Sequence, residues 1–120
     1  MNQTSEQLLL NCLTDDLRHP PYRGNSNPVA GHCYIVAEVL YHFLFESGDW
    51  KPMYIKHEGS SHWFLRHRRT QEIKDPTASQ FKTPVPYEEG HGKGFLTKQP
   101  SNRARQLYQR YRERLKTELL

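Results

Sequence analysis

The stretch GHCYIVAEVLYHFLFE, residues 31–46, decides the fold. Its apolar residues recur at the spacing i, i+3, i+4, i+7 and i+8, namely at Val36, Val39, Leu40, Phe43 and Leu44. This spacing predicts a central helix from Gly31 to about Glu46 with one broad apolar face. The turn-forming residues 47–49 end the helix. Because the apolar face is broad, other elements of the chain have to cover it.

Three candidate strands follow the central helix. They lie at Pro52–Lys56, Ser61–His67 and Glu72–Asp75. These short runs contain β-branched and aromatic residues, alternate between apolar and polar side chains, and are separated by turn residues. The segment after them, Pro76–Pro100, is rich in proline and glycine and is predicted to have little regular structure. Within it, Gly90-His91-Gly92-Lys93-Gly94 is interpreted as a mobile flap.

Two further helices are predicted at the ends of the chain. The first runs from Ser5 to about Arg18, and the last begins after an N-cap at Ser101 and continues to about Leu119. The order of elements therefore predicts an α+β fold, in which a central helix packs on a small antiparallel sheet between N- and C-terminal helices.

Length and composition limit the number of domains. The chain has 120 residues, of which 35% are hydrophobic, which predicts a single domain over residues 1–120. The start MNQTSEQLLLNCL has neither the basic leader nor the apolar segment of a secretion signal, so we expect a cytoplasmic protein without a membrane partner. The two cysteines are too few for a disulfide framework, and no metal or cofactor is predicted.

Cys33 is the first candidate for chemistry. It falls in the first turn of the predicted central helix, where unpaired N–H groups and the positive end of the helix dipole favour a thiolate. The same N–H groups can stabilise an oxyanion on an attacked carbonyl. The alternative is a small buried cysteine with a purely structural role.

His62 and Asp75 are the candidate partners of Cys33, because a nucleophilic thiol needs an imidazole and a third group that orients the ring. A tight hairpin centred between Arg68 and Arg69 would place Phe64 opposite Ile73 and His62 opposite Asp75. Directly opposed side chains share a face of the sheet. Each residue alone also has an ordinary structural explanation, His62 as a core histidine and Asp75 as a turn former.

The motifs Gly31-His32-Cys33-Tyr34, Ser61-His62-Trp63-Phe64 and Asp75-Pro76-Thr77 resemble those of the transglutaminase-like branch of the papain-like cysteine enzymes. The resemblance covers about residues 27–77 and includes the order Cys, His, Asp. It implies a papain-like core with a catalytic triad of Cys33, His62 and Asp75. It also implies a hydrolase or acyltransferase acting on an amide, peptide or thioester bond of a peptide, a protein or a small molecule.

Three further residues are assigned to the oxyanion or the substrate: Asn27, His32 and Trp63. In papain-like peptidases a glutamine six residues before the nucleophile binds the oxyanion, and Asn27 holds the corresponding position. Asn27 precedes Pro28, so turn formation is the other explanation. His32 and Trp63 adjoin the nucleophile and the base, and His32 also has a capping or surface role as its alternative.

Two rival interpretations remain, and the first rests on the formal net charge of +4. In the first, Arg66, Arg68 and Arg69 join the arginines of the last helix to bind nucleic acid, although a solvated helix face explains those arginines as well. In the second, the papain-like scaffold is catalytically inactive and serves protein contacts. Neither is favoured over the cysteine enzyme.

Overall fold

The computed structural model describes residues 4–18, 23–24 and 31–118. Within these residues it has three α-helices and four strands: α1 Ser5–Leu10, α2 Cys33–Val39, α3 Asn102–Glu118, β1 Trp50–His57, β2 Ser60–His67, β3 Ile73–Lys74 and β4 His91–Gly92. Short 3-10 turns lie at Asp15–Leu17, Ser47–Asp49, Ala78–Gln80 and Tyr87–Glu89. The elements form a small α+β domain, which confirms the predicted class.

The strands form one antiparallel sheet in the order β3-β2-β1-β4. β1 and β2 pair over all eight residues of each strand. Their turn has positive φ at Glu58 (50°) and Gly59 (77°), the conformation whose twist matches that of the adjoining strands. This hairpin is the frame that carries the segment Ser61-His62-Trp63.

The predicted register between the second and third strands is wrong by two residues. The sequence predicted Phe64 opposite Ile73 and His62 opposite Asp75. In the structure Arg66 is opposite Ile73, and the same register continued along the strand would set Phe64 opposite Asp75.

The turn between these strands is longer than predicted. Gln71 adopts a left-handed conformation with φ of 66°, and His67 N donates to Glu72 O at 2.8 Å to close the turn. A shift of two residues moves the partner along the strand but leaves every side chain on the same face of the sheet. Asp75 therefore remains on the face of His62, at the diagonal position.

Two of the predicted helices differ from those observed. The central helix is α-helical over Cys33–Val39 and continues as a π-helical turn over Leu40–Leu44. It ends at Phe45, whose backbone is extended. The opening helix ends at Leu10 rather than Arg18. The Thr14 hydroxyl donates to the Asp16 carboxylate, a local bond that competes with helix formation and favours the separate 3-10 turn that follows.

The main core lies between α2, the sheet and α3. Its buried side chains include Ile35, Val36, Val39, Leu40, Leu65, Leu107 and Tyr111. The predicted N-cap of the last helix is confirmed, because Ala104 N donates to Ser101 Oγ at 3.2 Å. Ser101 also donates from its backbone N and its hydroxyl to the buried Glu38 carboxylate, at 2.9 and 2.7 Å, and so ties α3 to α2.

A smaller cluster covers the other face of the sheet, with Met53, Ile55 and Phe64 packed against Val85. The covering segment lies in the part of the chain predicted to be irregular, and it consists mainly of turns. The predicted flap is not a separate loop. Its residues His91 and Gly92 form β4 and pair with the edge of β1.

Candidate active site

Cys33 is the first residue of α2 and lies beside the start of β2. Gly31, two residues earlier, has φ of 78°, a conformation that glycine adopts without strain, and it turns the chain into the helix. The Cys33 side chain is buried except for 8% of its surface, yet it lines a cavity of about 470 Å³ together with Trp63 and Gln80. Its Sγ lies 3.8 Å from the carbonyl oxygen of Ser61.

His62 is completely buried at the start of β2. Alternation along the strand places its ring on the face of Phe64, opposite to the face on which Trp63 packs towards α2. Phe81 covers the ring edge-on, with ring centroids 4.8 Å apart. Cys33 nevertheless lies near enough to His62 for the two side chains to interact electrostatically, which favours the protonated ring.

Asp75 follows β3 and meets His62 as the sequence predicted. His62 Nε2 donates to Asp75 Oδ2 at 2.7 Å, and the Asp75 side chain is only 3% exposed. The Tyr87 hydroxyl donates to the same oxygen at 2.8 Å, and the Thr77 hydroxyl contacts Oδ1 at 3.4 Å. These donors hold the carboxylate in the orientation that fixes the imidazole.

The pKa of His62 is raised to about 9. Burial lowers it, but the hydrogen bond to Asp75 and the interaction with Cys33 outweigh burial because both favour the imidazolium. Burial and the Asp75 carboxylate likewise raise the pKa of the Tyr87 hydroxyl, which therefore stays a donor. The surroundings of His62 thus stabilise the protonated form of its ring.

Gln80 connects His62 to the start of α2. Its Nε2 donates to His62 Nδ1 at 3.0 Å, while its Oε1 accepts from Gly31 N at 3.4 Å. Because Nε2 is bonded to Asp75, Nδ1 is the ring nitrogen that could exchange a proton with the Cys33 thiol. Gln80 occupies this nitrogen in the structure. An imidazolium carries protons on both nitrogens, so protonation of Nδ1 requires the Gln80 amide to turn or withdraw.

The three residues assigned to the oxyanion or the substrate have different outcomes. Asn27 lies outside the described residues. His32 is completely buried and its Nε2 lies 3.1 Å from Thr14 O, so the predicted substrate contact is wrong, and so is the alternative surface position. His32 is the N-cap residue of α2, but its side chain makes no capping bond. Trp63 lines the cavity beside Cys33, as a substrate-binding residue would.

Gln80 and Tyr87 are site residues that the sequence reasoning missed. Both lie on turns of the segment that was predicted to be irregular. The one available signal was the Asp75-Pro76 turn, which indicates that the chain reverses soon after the presumed triad residue. Nothing in the spacing identified which later side chains return to His62.

Some of the arginines that favoured the nucleic-acid interpretation have bonding partners within the protein. Arg66 donates to Tyr87 O at 3.0 Å, and Arg110 pairs with Asp16 at 2.9 Å. Among the described residues no group of three or more His, Cys, Asp or Glu side chains is placed to hold a metal ion. None of the helices in the described ranges combines the length and apolar character needed to cross a bilayer.

Comparison of the chain with family models, with curated proteins and with solved structures gave no match.

Proposed function

We propose that this protein is a cysteine-dependent hydrolase or acyltransferase, with Cys33 as nucleophile, His62 as acid and base, and Asp75 as the residue that orients the ring. The observation that carries the proposal is the bond of 2.7 Å between two almost completely buried side chains, His62 and Asp75, beside a thiol that lines an open cavity. Buried charged pairs of this kind are costly and are common at functional sites.

The arrangement also supports a papain-like core. A helix that begins at the cysteine packs against an antiparallel sheet, and the histidine strand is followed by the strand that leads to the aspartate. The order along the chain is the order of the transglutaminase-like enzymes. The cavity at Cys33 has apolar walls from Trp63 and Tyr34 and the cationic side chains of Lys56 and Arg103.

The chemistry begins with transfer of the Cys33 thiol proton to Nδ1 of the neutral His62 ring, which gives an imidazolium that Asp75 stabilises. The Cys33 sulfur attacks a carbonyl carbon and forms a C–S bond, and the carbonyl oxygen becomes an oxyanion near the N-terminal N–H groups of α2. His62 then gives the proton to the leaving amine or thiolate as its bond to carbon breaks. Water, or an acceptor amine, attacks the acyl-enzyme, His62 takes a proton from it, and Cys33 is released.

Gln80 has to leave Nδ1 before the first proton transfer. Its amide then lies free beside Cys33 in the same cavity, where its Nε2 can donate to the oxyanion. If Gln80 blocks the ring in the resting protein, its removal raises the reactivity of the thiol.

The same Gln80 contact favours a second candidate, a catalytically inactive papain-like scaffold. In that case the amide permanently occupies the nitrogen that catalysis needs, and Cys33 behaves as an ordinary cysteine. The two candidates differ in the reactivity of one thiol, so chemistry on Cys33 separates them.

The test is alkylation by iodoacetamide at neutral pH, read by mass spectrometry of the peptides that contain Cys33 and Cys12. Cys12 is the internal control because it is also buried, at 4% exposure, and burial raises the pKa of its thiol. An activated thiolate should react roughly tenfold faster or more, and Asp75→Asn should remove most of the difference. Equal rates for the two cysteines in the folded protein would favour the inactive scaffold.

A second measurement tests acyl transfer itself. p-Nitrophenyl acetate should release nitrophenolate in a burst and leave an acetyl group on Cys33, seen as a mass increase on that peptide. Cys33→Ser should abolish the burst, whereas Cys12→Ser should leave it unchanged. Gln80→Ala should increase the rate of acylation if the amide blocks His62, and should decrease it if the amide mainly serves the oxyanion.

A further inference from the structure

A second concave surface, which we term the basic groove, lies apart from the cavity at Cys33. It has a volume of about 480 Å³ and shares no lining residue with that cavity. Four cationic side chains line it: Lys51, Arg68, Lys93 and Lys98. No aspartate or glutamate is among its lining residues.

The cations come from separate parts of the chain and converge only in the folded protein. Lys51 belongs to β1, Arg68 to the turn between β2 and β3, and Lys93 and Lys98 to the segment after β4. Placing like charges around one concavity raises the electrostatic energy of the folded state unless an anion occupies it. Such an arrangement therefore points to a ligand.

Several basic side chains elsewhere in the described chain form ion pairs, whereas most of those in the groove do not. Lys74 pairs with Glu6 and Glu72, and Arg110 pairs with Asp16. The ion pairs and side-chain hydrogen bonds of the described residues include none from the side chains of Lys51, Arg68 or Lys98. Lys93 is partly engaged, since its Nζ stands 4.5 Å from the centre of the Tyr54 ring.

Gly92 determines where Lys51 lies. A Cβ atom at residue 92 would come within 2.1 Å of Lys51 Cε and 2.8 Å of Lys51 Nζ, so the lysine crosses β4 through space that only a glycine leaves open. The Lys51 side chain is one of those that line the groove. Because the opposing atoms belong to the end of a flexible side chain, an alanine at position 92 displaces Lys51 without disturbing the sheet.

We propose that the basic groove binds a small anion that carries two or more phosphate groups. Lysine and arginine are the usual phosphate-binding side chains, and several of them around one site match adjacent phosphates rather than a single charge. The volume falls within the range of small-molecule sites. Next to the cations the wall is apolar, with Tyr41 and Phe95, and it can receive the organic part of a nucleoside polyphosphate.

The test is calorimetric titration with sodium tripolyphosphate at about 50 mM salt, where electrostatic binding is least screened. We expect one molecule bound per chain. The double variant Lys51→Ala with Lys98→Ala should weaken binding about tenfold or more, whereas the matched control Lys82→Ala with Lys116→Ala should change it less than about twofold. The control removes the same charge from exposed side chains away from the groove.

Gly92→Ala provides a variant in which every charge is kept. It should weaken tripolyphosphate binding several-fold, and its circular dichroism spectrum should match that of the parent protein. Equal weakening by the two lysine pairs, or absence of tripolyphosphate binding at low salt, would overturn the proposal. It would also be overturned if a single-stranded DNA oligonucleotide bound and tripolyphosphate could not displace it, since the ligand would then be nucleic acid.

Discussion

Replacing Asp75 with asparagine tests the electrostatics at the centre of the candidate site. The carboxylate accepts from His62 Nε2 at 2.7 Å and, together with Cys33, raises the pKa of His62 to about 9 against the effect of burial. An asparagine keeps the shape and can still accept a hydrogen bond, but it has no charge. In Asp75→Asn the pKa of His62 should fall well below 9, because burial still lowers it and only the interaction with Cys33 still raises it.

The size of the effect follows from the change in pKa. A difference of about 2.5 units between the folded and unfolded protein corresponds to roughly 3 kcal/mol of stability, at about 1.36 kcal/mol per unit. The folded-state pKa is the higher one. The stabilisation is therefore fully present below about pH 6.5 and is lost as the pH rises through about 9.

Two measurements check this expectation. Nuclear magnetic resonance of the histidine ring protons between about pH 5 and pH 10 gives the His62 pKa, and urea unfolding at both ends of that range gives the free energy of unfolding. The parent protein should lose roughly 3 kcal/mol across the range, whereas Asp75→Asn should lose much less. Glu72→Gln is the matched control, since Glu72 is an exposed carboxylate on the same hairpin that pairs with Lys74.

The reasoning would be refuted if the His62 resonance of Asp75→Asn still titrated near pH 9. A parent protein whose unfolding free energy stayed constant from pH 6.5 to about 9 would refute it equally, because the raised pKa must appear as a loss of stability over that interval.

Four further substitutions test the site and the core of the protein. Tyr87→Phe removes the second donor to Asp75 and should lower the free energy of unfolding by about 1–2 kcal/mol, measured by urea unfolding at neutral pH. Glu38→Ala leaves Ser101 N and Oγ without their acceptor and opens a gap between α2 and α3, so it should cost about 2–4 kcal/mol, whereas Ser101→Ala should cost about 1–2 kcal/mol by the same assay. Leu107→Ala creates a cavity in the main core and should cost about 2–5 kcal/mol, seen as a lower thermal midpoint in calorimetry.

Local patterns were sufficient for the parts of the site that lie on regular elements. The helical spacing from Val36 to Leu44 located the helix that begins at Cys33, and the hairpin arithmetic brought His62 and Asp75 together. That second prediction was right although its register was wrong, because an error of two residues preserves the face of a strand. An error of one residue would have separated the two side chains.

Contacts between distant segments escaped the sequence because no periodicity encodes them. Gln80 and Tyr87 return to His62 and Asp75 from turns whose path depends on the packing of Phe81 and neighbouring side chains against the sheet. The burial of His32 likewise depends on where residue 14 lies. Such positions follow from the whole set of tertiary contacts and not from any short window of residues.

By itself the sequence determined the main helices and the first three strands, the faces of the strands and the presence of a cysteine at a helix start, since these depend on side chains a few residues apart. The tertiary structure alone decided which groups surround that cysteine, how long the β2–β3 turn is, and that lysines and an arginine from three segments line one groove. The physical reason is that backbone propensity and side-chain periodicity act locally, whereas burial and charge proximity depend on segments that meet only after the chain has folded.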